Sequence, residues 1–480
     1  MNFNTPQFFL FLVTVVFLYS ILHKKELLRD LLLLCSSYIF YMSWNWKFAG
    51  LIAFSTILDY TIGLLLSSEK RAKLRKLYLL LSFSGNLGLL AFFKYYFLFT
   101  DLTRNMLNFL GFSISFPVYN FLLPVGISFY TFKTLSYTIG VYRGEIDCEL
   151  NFIKYSIFVS FFPLLIAGPI IKASNFLPQI RQKIVQVSEN NFMWGLSRVF
   201  KGLFKKIVIA DILSQLGVDA IFANPAYYSS IDLLFALYGY AFQIYYDFSG
   251  YSDIAIGAAT MLGFNIPENF NRPYISQNIR EFWQRWHISL STWFRDYLYL
   301  PIAYSATRKF TKKSYFGIKT DKLVYTKAIA ITFLLCGLWH GASLNFIIWG
   351  GYHGFLIILS RFKKSAHKTK SLFTQFKRQL VCFHLVLFGW LLFRINHFND
   401  FVEYINGLLK LSSGSQLNLI YFLILFIALI IHICPQNYIE STTKMFIRIP
   451  VPVQALVYTI LILIFLGFGL SSPRFIYFQF

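Results

Sequence analysis

Two histidines carry most of the chemistry in this sequence. His340 lies in Leu334-Leu-Cys-Gly337-Leu-Trp339-His340-Gly341-Ala-Ser343, an apolar run with small residues beside it. His287 lies in Glu281-Phe-Trp283-Gln-Arg285-Trp286-His287-Ile-Ser289, a stretch too dense in charge and aromatic rings for lipid contact. A neutral imidazole can take a proton from a hydroxyl as that hydroxyl attacks a carbonyl, which is the step acyl transfer needs. A lone buried histidine is more often packing filler, but ionisable groups at membrane depth are expensive and mark function by default. A third polar stretch, Tyr245-Tyr-Asp247-Phe-Ser249-Gly-Tyr-Ser-Asp253, puts two acids and a serine inside the otherwise apolar segment 231–262. Asp247, Ser249 and Asp253 are expected to line a polar cavity, orient a histidine or bind substrate; the alternative is interhelical hydrogen bonding. His353 can point into the same bundle as His340, whereas His23, His367 and His397 fall at loop ends and read as solvated.

Other chemistries lack their motifs. There is no G-x-S-x-G elbow and no Gly-rich P-loop, which removes serine-hydrolase and nucleotide-hydrolysis readings. Cys35, Cys148, Cys336, Cys382 and Cys434 are scattered singly, so neither a metal site nor a disulfide framework is expected. A net charge of +23 raises nucleic acid as a partner, but the basic residues sit between apolar runs without a DNA-binding pattern, and positive-inside topology accounts for them.

The elements that must hold these residues are membrane helices. Hydrophobic residues make up 56% of the 480, aromatic residues 20% and charged residues only 14%, a mix whose surface has to meet lipid. Apolar runs near 6–22, 31–47, 49–66, 77–98, 118–140, 152–171, 203–222, 231–262, 325–349, 380–395, 417–434 and 453–471 are candidates to cross the hydrocarbon layer. The first has no cleavage site and reads as a retained span. Basic loops at His23-Lys24-Lys25 with Arg29, and at Lys70 to Lys76, are expected on the cytoplasmic side, with the N-terminus outside. The segments Ser160-Phe-Phe-Pro163 to Pro169 and Pro267 to Pro301 carry Pro, and the first also Gly168, at membrane depth; backbone freed there is tolerated only inside protein or facing water. Both read as re-entrant or broken helices around a cavity. Residues 193–206, with Arg198, Lys201, Lys205 and Lys206 among apolar positions, read either as an interfacial helix or as an ordinary span end.

These residues resemble a known family, the membrane-bound O-acyltransferases, and within it the bacterial alginate and peptidoglycan O-acetyltransferase branch. The resemblance is carried by Asp247-Phe-Ser-Gly-Tyr-Ser-Asp253-Ile-Ala-Ile-Gly257, Phe270-Asn-Arg-Pro-Tyr274, Phe282-Trp-Gln-Arg-Trp-His287-Ile-Ser-Leu-Ser-Thr-Trp293-Phe-Arg-Asp-Tyr-Leu-Tyr-Leu-Pro301 and Gly337-Leu-Trp-His340-Gly-Ala. It covers nearly the whole chain, with the motifs concentrated in 240–350. It implies one all-α, polytopic membrane domain over 1–480: N-terminal spans in 1–150, a catalytic core with re-entrant segments in 150–360, and C-terminal spans in 361–480. Eleven or twelve spans would enclose a central tunnel. His340 would be the principal catalytic residue and His287 a second, with Trp283, Trp286, Arg295 and Trp339 lining the tunnel beside Asp247, Ser249 and Asp253. The implied donor is cytoplasmic acetyl-CoA, and the implied acceptor an exported or envelope polysaccharide outside a bacterial inner membrane. Final delivery would fall to a separate extracytoplasmic esterase-like partner. The tail Phe475-Ile-Tyr477-Phe478 resembles the Phe-x-Tyr-Phe ends of related envelope-acylation systems and makes Tyr477 a candidate acyl carrier; its alternative is an aromatic anchor.

Two rivals share the scaffold. D-alanine or a longer acyl chain can replace acetyl as cargo. A transporter or channel would also place Asp and His at membrane depth, but it should show internal repeats, and none is visible by eye.

Overall fold

In a computed structural model, the chain is described over residues 1–112, 124–183, 188–315, 317–362, 371–395 and 397–469. Helix dominates throughout: apart from one two-stranded antiparallel pair, Ser314–Tyr315 with Ile318–Lys319, no strand occurs among the described residues. Two compact units form, one from 1–196 with 254–267 and the other from 197–253 with 268–480.

The first unit holds α1 (Pro6–Leu22), α2 (Glu26–Met42), α3 (Phe48–Ser68), α4 (Ala72–Phe109), α5 (Ile127–Arg143), α6 (Phe152–Ser160) and α7 (Ala173–Ile180). Here α3, α4 and α5 are tied by a carboxylate. Asp59 accepts hydrogen bonds from Ser82 (2.5 Å), Thr138 (3.0 Å) and Asn86 (2.6 Å), all fully buried, so the acid is satisfied without leaving the core. At Pro163 α6 breaks as expected: the chain runs through a single 3-10 turn, Phe162–Leu164, and everything from Lys154 to Ile171 is buried. Lys133 Nζ donates to the Val159 carbonyl at 3.0 Å near that broken end, a favourable place for a cation. Gly126, at φ 77, starts α5 where a Cβ would run into the Leu165 carbonyl. Only glycine meets both demands cheaply.

One loop residue departs from its expected place. Arg29 is buried, paired with Asp30 at 2.7 Å, and donates to the carbonyls of Gln182 and Lys183; it fastens a turn of the unit and is no part of a solvated basic loop. The loop between α3 and α4 does stay charged, because Arg71 hydrogen-bonds Glu69 and holds its carboxyl down to about 2.

The second unit begins in the helix α8 (Glu189–Leu203), which passes into a π-helical stretch, Phe204–Asp211, and then α9 (Asp219–Ala223). The long α10 (Ser230–Met261) contributes its part up to Asp253. The segment 267–301 is broken, as expected, into α11 (Ile279–Arg285) and α12 (Ile288–Phe294), each seven residues long, followed by a π-turn over Arg295–Tyr299; the break between α11 and α12 falls at His287, away from any Pro or Gly. The rest is α13 (Leu300–Lys309), α14 (Thr320–His340), α15 (Leu344–Phe362), α16 (Leu372–Arg394), α17 (Phe398–Leu409), α18 (Leu419–Ile433), α19 (Gln436–Ile447) and α20 (Val451–Gly469).

By length and composition, four described helices can cross a membrane: α3, α4 over Ala72–Tyr96, α14 and α16. The α18–α19 pair, bent by 96°, gives a fifth, while α1, α6 and α20 are shorter apolar helices. The eleven or twelve candidate runs therefore separate into helices of lipid-facing composition and helices that are shorter or packed inside protein. In α10 the residues from Tyr240 through Asp253 are all buried, so this stretch meets protein on every side and keeps polar residues that a lipid-facing span would lack.

Candidate active site

His340 is the last residue of α14, and its position depends on how closely α14 approaches α15. A Cβ on Gly337 would meet the Phe346 carbonyl oxygen, and one on Gly350 would meet that of Phe333; glycine at both points lets the two backbones touch. The chain turns at Gly341 and sends α15 back along α14, placing Phe346 and Trp349 against the histidine. The His340 ring lies 4.9 Å from Trp349, 5.2 Å from Phe393 of α16 and 4.8 Å from Trp339, centre to centre. The ring is buried among aromatics.

His287 is held by a different device. It is the N-cap of α12 with φ 41, a left-handed conformation uncommon for a residue with a side chain. The Ile288 N–H donates to the Asn269 carbonyl (2.9 Å) and the Asn271 N–H to the Arg285 carbonyl (2.9 Å), which pins the backbone on both sides of the histidine. Strain of this kind persists where the surroundings over-determine it, and it gathers at functional positions. The Asn269 side chain organises the polar contacts. Its Oδ1 accepts from the Ser289 N–H (3.3 Å), which fixes that atom as the oxygen, and from Ser289 Oγ (2.8 Å). His287 Nδ1, 3.1 Å from the same oxygen, is therefore the donor, and Nε2 carries the lone pair. That is the tautomer a proton acceptor needs. Asn269 Nδ2 in turn donates to Ser252 Oγ of α10 at 3.2 Å.

An unbroken series of rings joins the two histidines within this unit. From His287 it runs to Phe270 (6.4 Å), Trp286 (5.1 Å), Trp390 (4.7 Å), Phe393 (5.8 Å) and His340 (5.2 Å). Trp349 bridges His340 and His353, whose ring centre is 5.0 Å from its own; Trp283 touches both Trp349 and His353. His353 thus joins the same bundle as His340. Trp283, Trp286 and Trp339 all belong to this aromatic assembly.

The acids of α10 have other partners. Asp247 pairs with Lys206 at 2.8 Å, and Lys206 also pairs with Asp211 at 2.7 Å, all three buried. Asp253 collects Lys205 (2.7 Å), Arg198 (3.0 Å) and Lys201 (3.5 Å). The four cations of 198–206 are therefore turned towards buried carboxylates; the π-helical turns of Phe204–Asp211 bring Lys206 and Asp211 together. Ser249 is buried on α10. Arg295 is largely exposed and pairs with its neighbour Asp296 at 2.7 Å. His23 and His397 lie at helix ends as expected, and His367 and Tyr477 fall outside the described residues. Among the described residues, no group of three His, Cys, Asp or Glu side chains is arranged to hold a metal ion.

Sequence reasoning does not reach Asn269, Ser289, Trp349 or Trp390. For Asn269 the available signal is its place next to the Phe270-Asn-Arg-Pro-Tyr274 motif; the tryptophans give none, because helical aromatics read first as packing.

Similarity to known proteins points to the same chemistry. Residues 36–398 match the family model of the membrane-bound O-acyltransferases. The chain is 40% identical to a probable alginate O-acetylase of Pseudomonas aeruginosa, over 80% of this chain and 71% of that protein. It is 34% identical to the peptidoglycan O-acetyltransferase of Helicobacter pylori, over 87% and 81%. A teichoic acid D-alanyltransferase of Bacillus subtilis is 31% identical over 58% of this chain and 70% of its own length. With histidines buried in a helical membrane scaffold and a family match over most of its length, this chain belongs to the membrane-bound O-acyltransferase family and is a multi-pass membrane enzyme that transfers acyl groups to hydroxyls.

Proposed function

We propose that this enzyme takes acetyl from cytoplasmic acetyl-CoA and passes it across a bacterial inner membrane for O-acetylation of an envelope or exported polysaccharide, peptidoglycan or an alginate-like polymer. The carrying observation is that two buried imidazoles share one helical unit, in a chain similar over most of its length to both alginate and peptidoglycan O-acetylating proteins. His340 acts as base: it takes the hydroxyl proton, the oxygen bonds to the thioester carbonyl carbon, the carbon–sulfur bond breaks, and the thiol leaves with the proton. His287 is a second histidine of the reaction, and Trp283, Trp286 and Trp339 line the acyl path, with Asp247, Ser249, Asp253 and Arg295 supporting it. Tyr477 receives the acyl group and hands it to an extracytoplasmic esterase-like partner.

The test is transfer of labelled acetyl from acetyl-CoA by enzyme in proteoliposomes, with the C-terminal peptide followed by mass spectrometry. Acetylated Tyr477 and loss of turnover in Tyr477→Phe are expected. Full turnover by Tyr477→Phe without any adduct would reject the relay. D-alanyl transfer is a second reading, supported by the teichoic acid D-alanyltransferase similarity; competition between acetyl-CoA and a D-alanyl carrier protein separates the two.

A further inference from the structure

On the second unit, apart from the two histidines of the reaction, α10, α16 and α18 enclose a cavity of about 510 Å³. Its walls are nearly all apolar, with Phe235, Phe383, Phe426 and Leu429 prominent. The polar pair inside it is already satisfied: His384 Nδ1 donates to the Leu380 carbonyl (2.8 Å), so its Nε2 accepts from Tyr238 Oη (3.0 Å). The lining residues run from Phe376 to His384 on α16 and from Phe422 to Ile433 on α18, which is about 12 Å and about 16 Å of helix. One leaflet of hydrocarbon is about 15 Å deep. The groove therefore matches the depth of a single leaflet, between a helix suited to crossing the membrane and the first arm of the bent pair.

One end of the groove differs from the other. At the Phe235 end the wall is aromatic, with the Phe422 ring 5.0 Å away. At the opposite end stand His432 and Ile433, where α18 stops and α19 departs at 96°. Arg272, held at φ 43, stands just beyond the lining and donates from Nη1 to the carbonyl of the lining residue Ile433 at 3.2 Å; no carboxylate pairs with it among the described residues. Nearby Arg285 and Lys205, by contrast, are paired with Glu281 and Asp253. The buried His432 accepts the Tyr274 N–H at Nε2 (3.1 Å), which ties the 3-10 turn at Pro273–Ile275 to the end of α18. A cation anchored at one end of a leaflet-deep apolar groove is the complement of a phospholipid: chain in the groove, phosphate at the guanidinium.

We propose that this groove is a binding site for one acyl chain of an anionic phospholipid, with Arg272 recognising its phosphate. The proposal rests on membrane insertion and not on the acetyl-transfer reading.

The full chain in detergent is washed, loaded from vesicles of phosphatidylcholine with or without phosphatidylglycerol, and its retained lipid counted by native mass spectrometry. Wild type should keep one phosphatidylglycerol in preference to phosphatidylcholine. Arg272→Gln should lower that preference about fivefold, the discrimination expected of one cation near an anionic lipid, and Arg272→Lys should keep most of it. Leu429→Trp, which fills the groove, should abolish retention; if that variant fails to fold, Leu425→Phe is read by the same ratio. Equal retention of both lipids, unchanged retention in a folded groove-filled variant, displacement by soluble glycerol phosphate, or binding that requires deletion of residues 470–480 would each overturn the proposal.

Discussion

Asn269 and His287 share one hydrogen bond whose direction the neighbouring backbone decides: the Ser289 N–H identifies Asn269 Oδ1 as the acceptor, so Nδ1 of His287 carries the proton and Nε2 the lone pair. A single asparagine thus sets the tautomer of a histidine whose strained backbone is pinned by the flanking hydrogen bonds of Ile288 and Asn271. Asn269→Ala should lower turnover at least about tenfold, the smaller end of what a misoriented base costs, and destabilise by about 1–3 kcal/mol for the partners left unsatisfied. Asn269→Asp should restore the orientation but favour the charged ring, moving the basic-form limb of the pH–rate profile to higher pH. Wild-type turnover and an unmoved profile in both variants would mean that His287 is packing.

His340→Ala should abolish transfer, by about 10²–10⁴ if its only role is that of general base. His340→Gln should do the same with a smaller drop in melting temperature, because the ring is enclosed by other rings and glutamine keeps much of its volume there. Retained transfer in either purified variant would remove His340 from the mechanism.

Lys206 serves two buried carboxylates. Lys206→Met should cost about 3–5 kcal/mol, because Asp211 and Asp247 stay buried without the ammonium they share. Adding Asp211→Asn and Asp247→Asn should recover much of that loss. Thermal unfolding of the single and triple variants measures it, and activity of the recovered protein reports separately on whether Asp247 also serves the reaction.

Gly350→Val should reduce folded yield more than Gly351→Val. A side chain at 350 meets the Phe333 carbonyl oxygen, whereas the position next to it has only Leu334 within ordinary contact. Overpacking of this kind costs about 1–3 kcal/mol, and here it also drives α14 from α15 and shifts His340 from Trp349. Equal yields would show that the α14–α15 contact is looser than its geometry.

Much of this enzyme was legible in the chain itself because membranes tolerate few solutions. Apolar runs have to become helices, since an unpaired backbone cannot sit in hydrocarbon, and Pro at that depth has to break them; the interruption at Pro163 follows from this alone, whereas the break at His287 carries neither Pro nor Gly and is set by its backbone contacts. Histidines in such a setting stand out as candidates, and the structure buries both His340 and His287 in the second unit. The fate of the acids was different. Asp247 and Asp253 sit in one polar run of sequence, yet each takes cations from 198–206, a stretch whose spacing suits a membrane surface equally well. Helical periodicity says which residues share a face and nothing about which distant face answers it.

By itself the sequence determined the class of protein and the break at Pro163, and it singled out the two imidazoles as candidates, because composition and local backbone chemistry are enough for each. The partners of those groups were decided by tertiary structure alone: Asn269 at His287, Trp349 and Phe393 at His340, Lys206 between two acids. Each pairing joins residues from separate elements of the fold, and only packing, with its demand that every buried polar group find an answer, selects among the many pairings a chain of this composition allows.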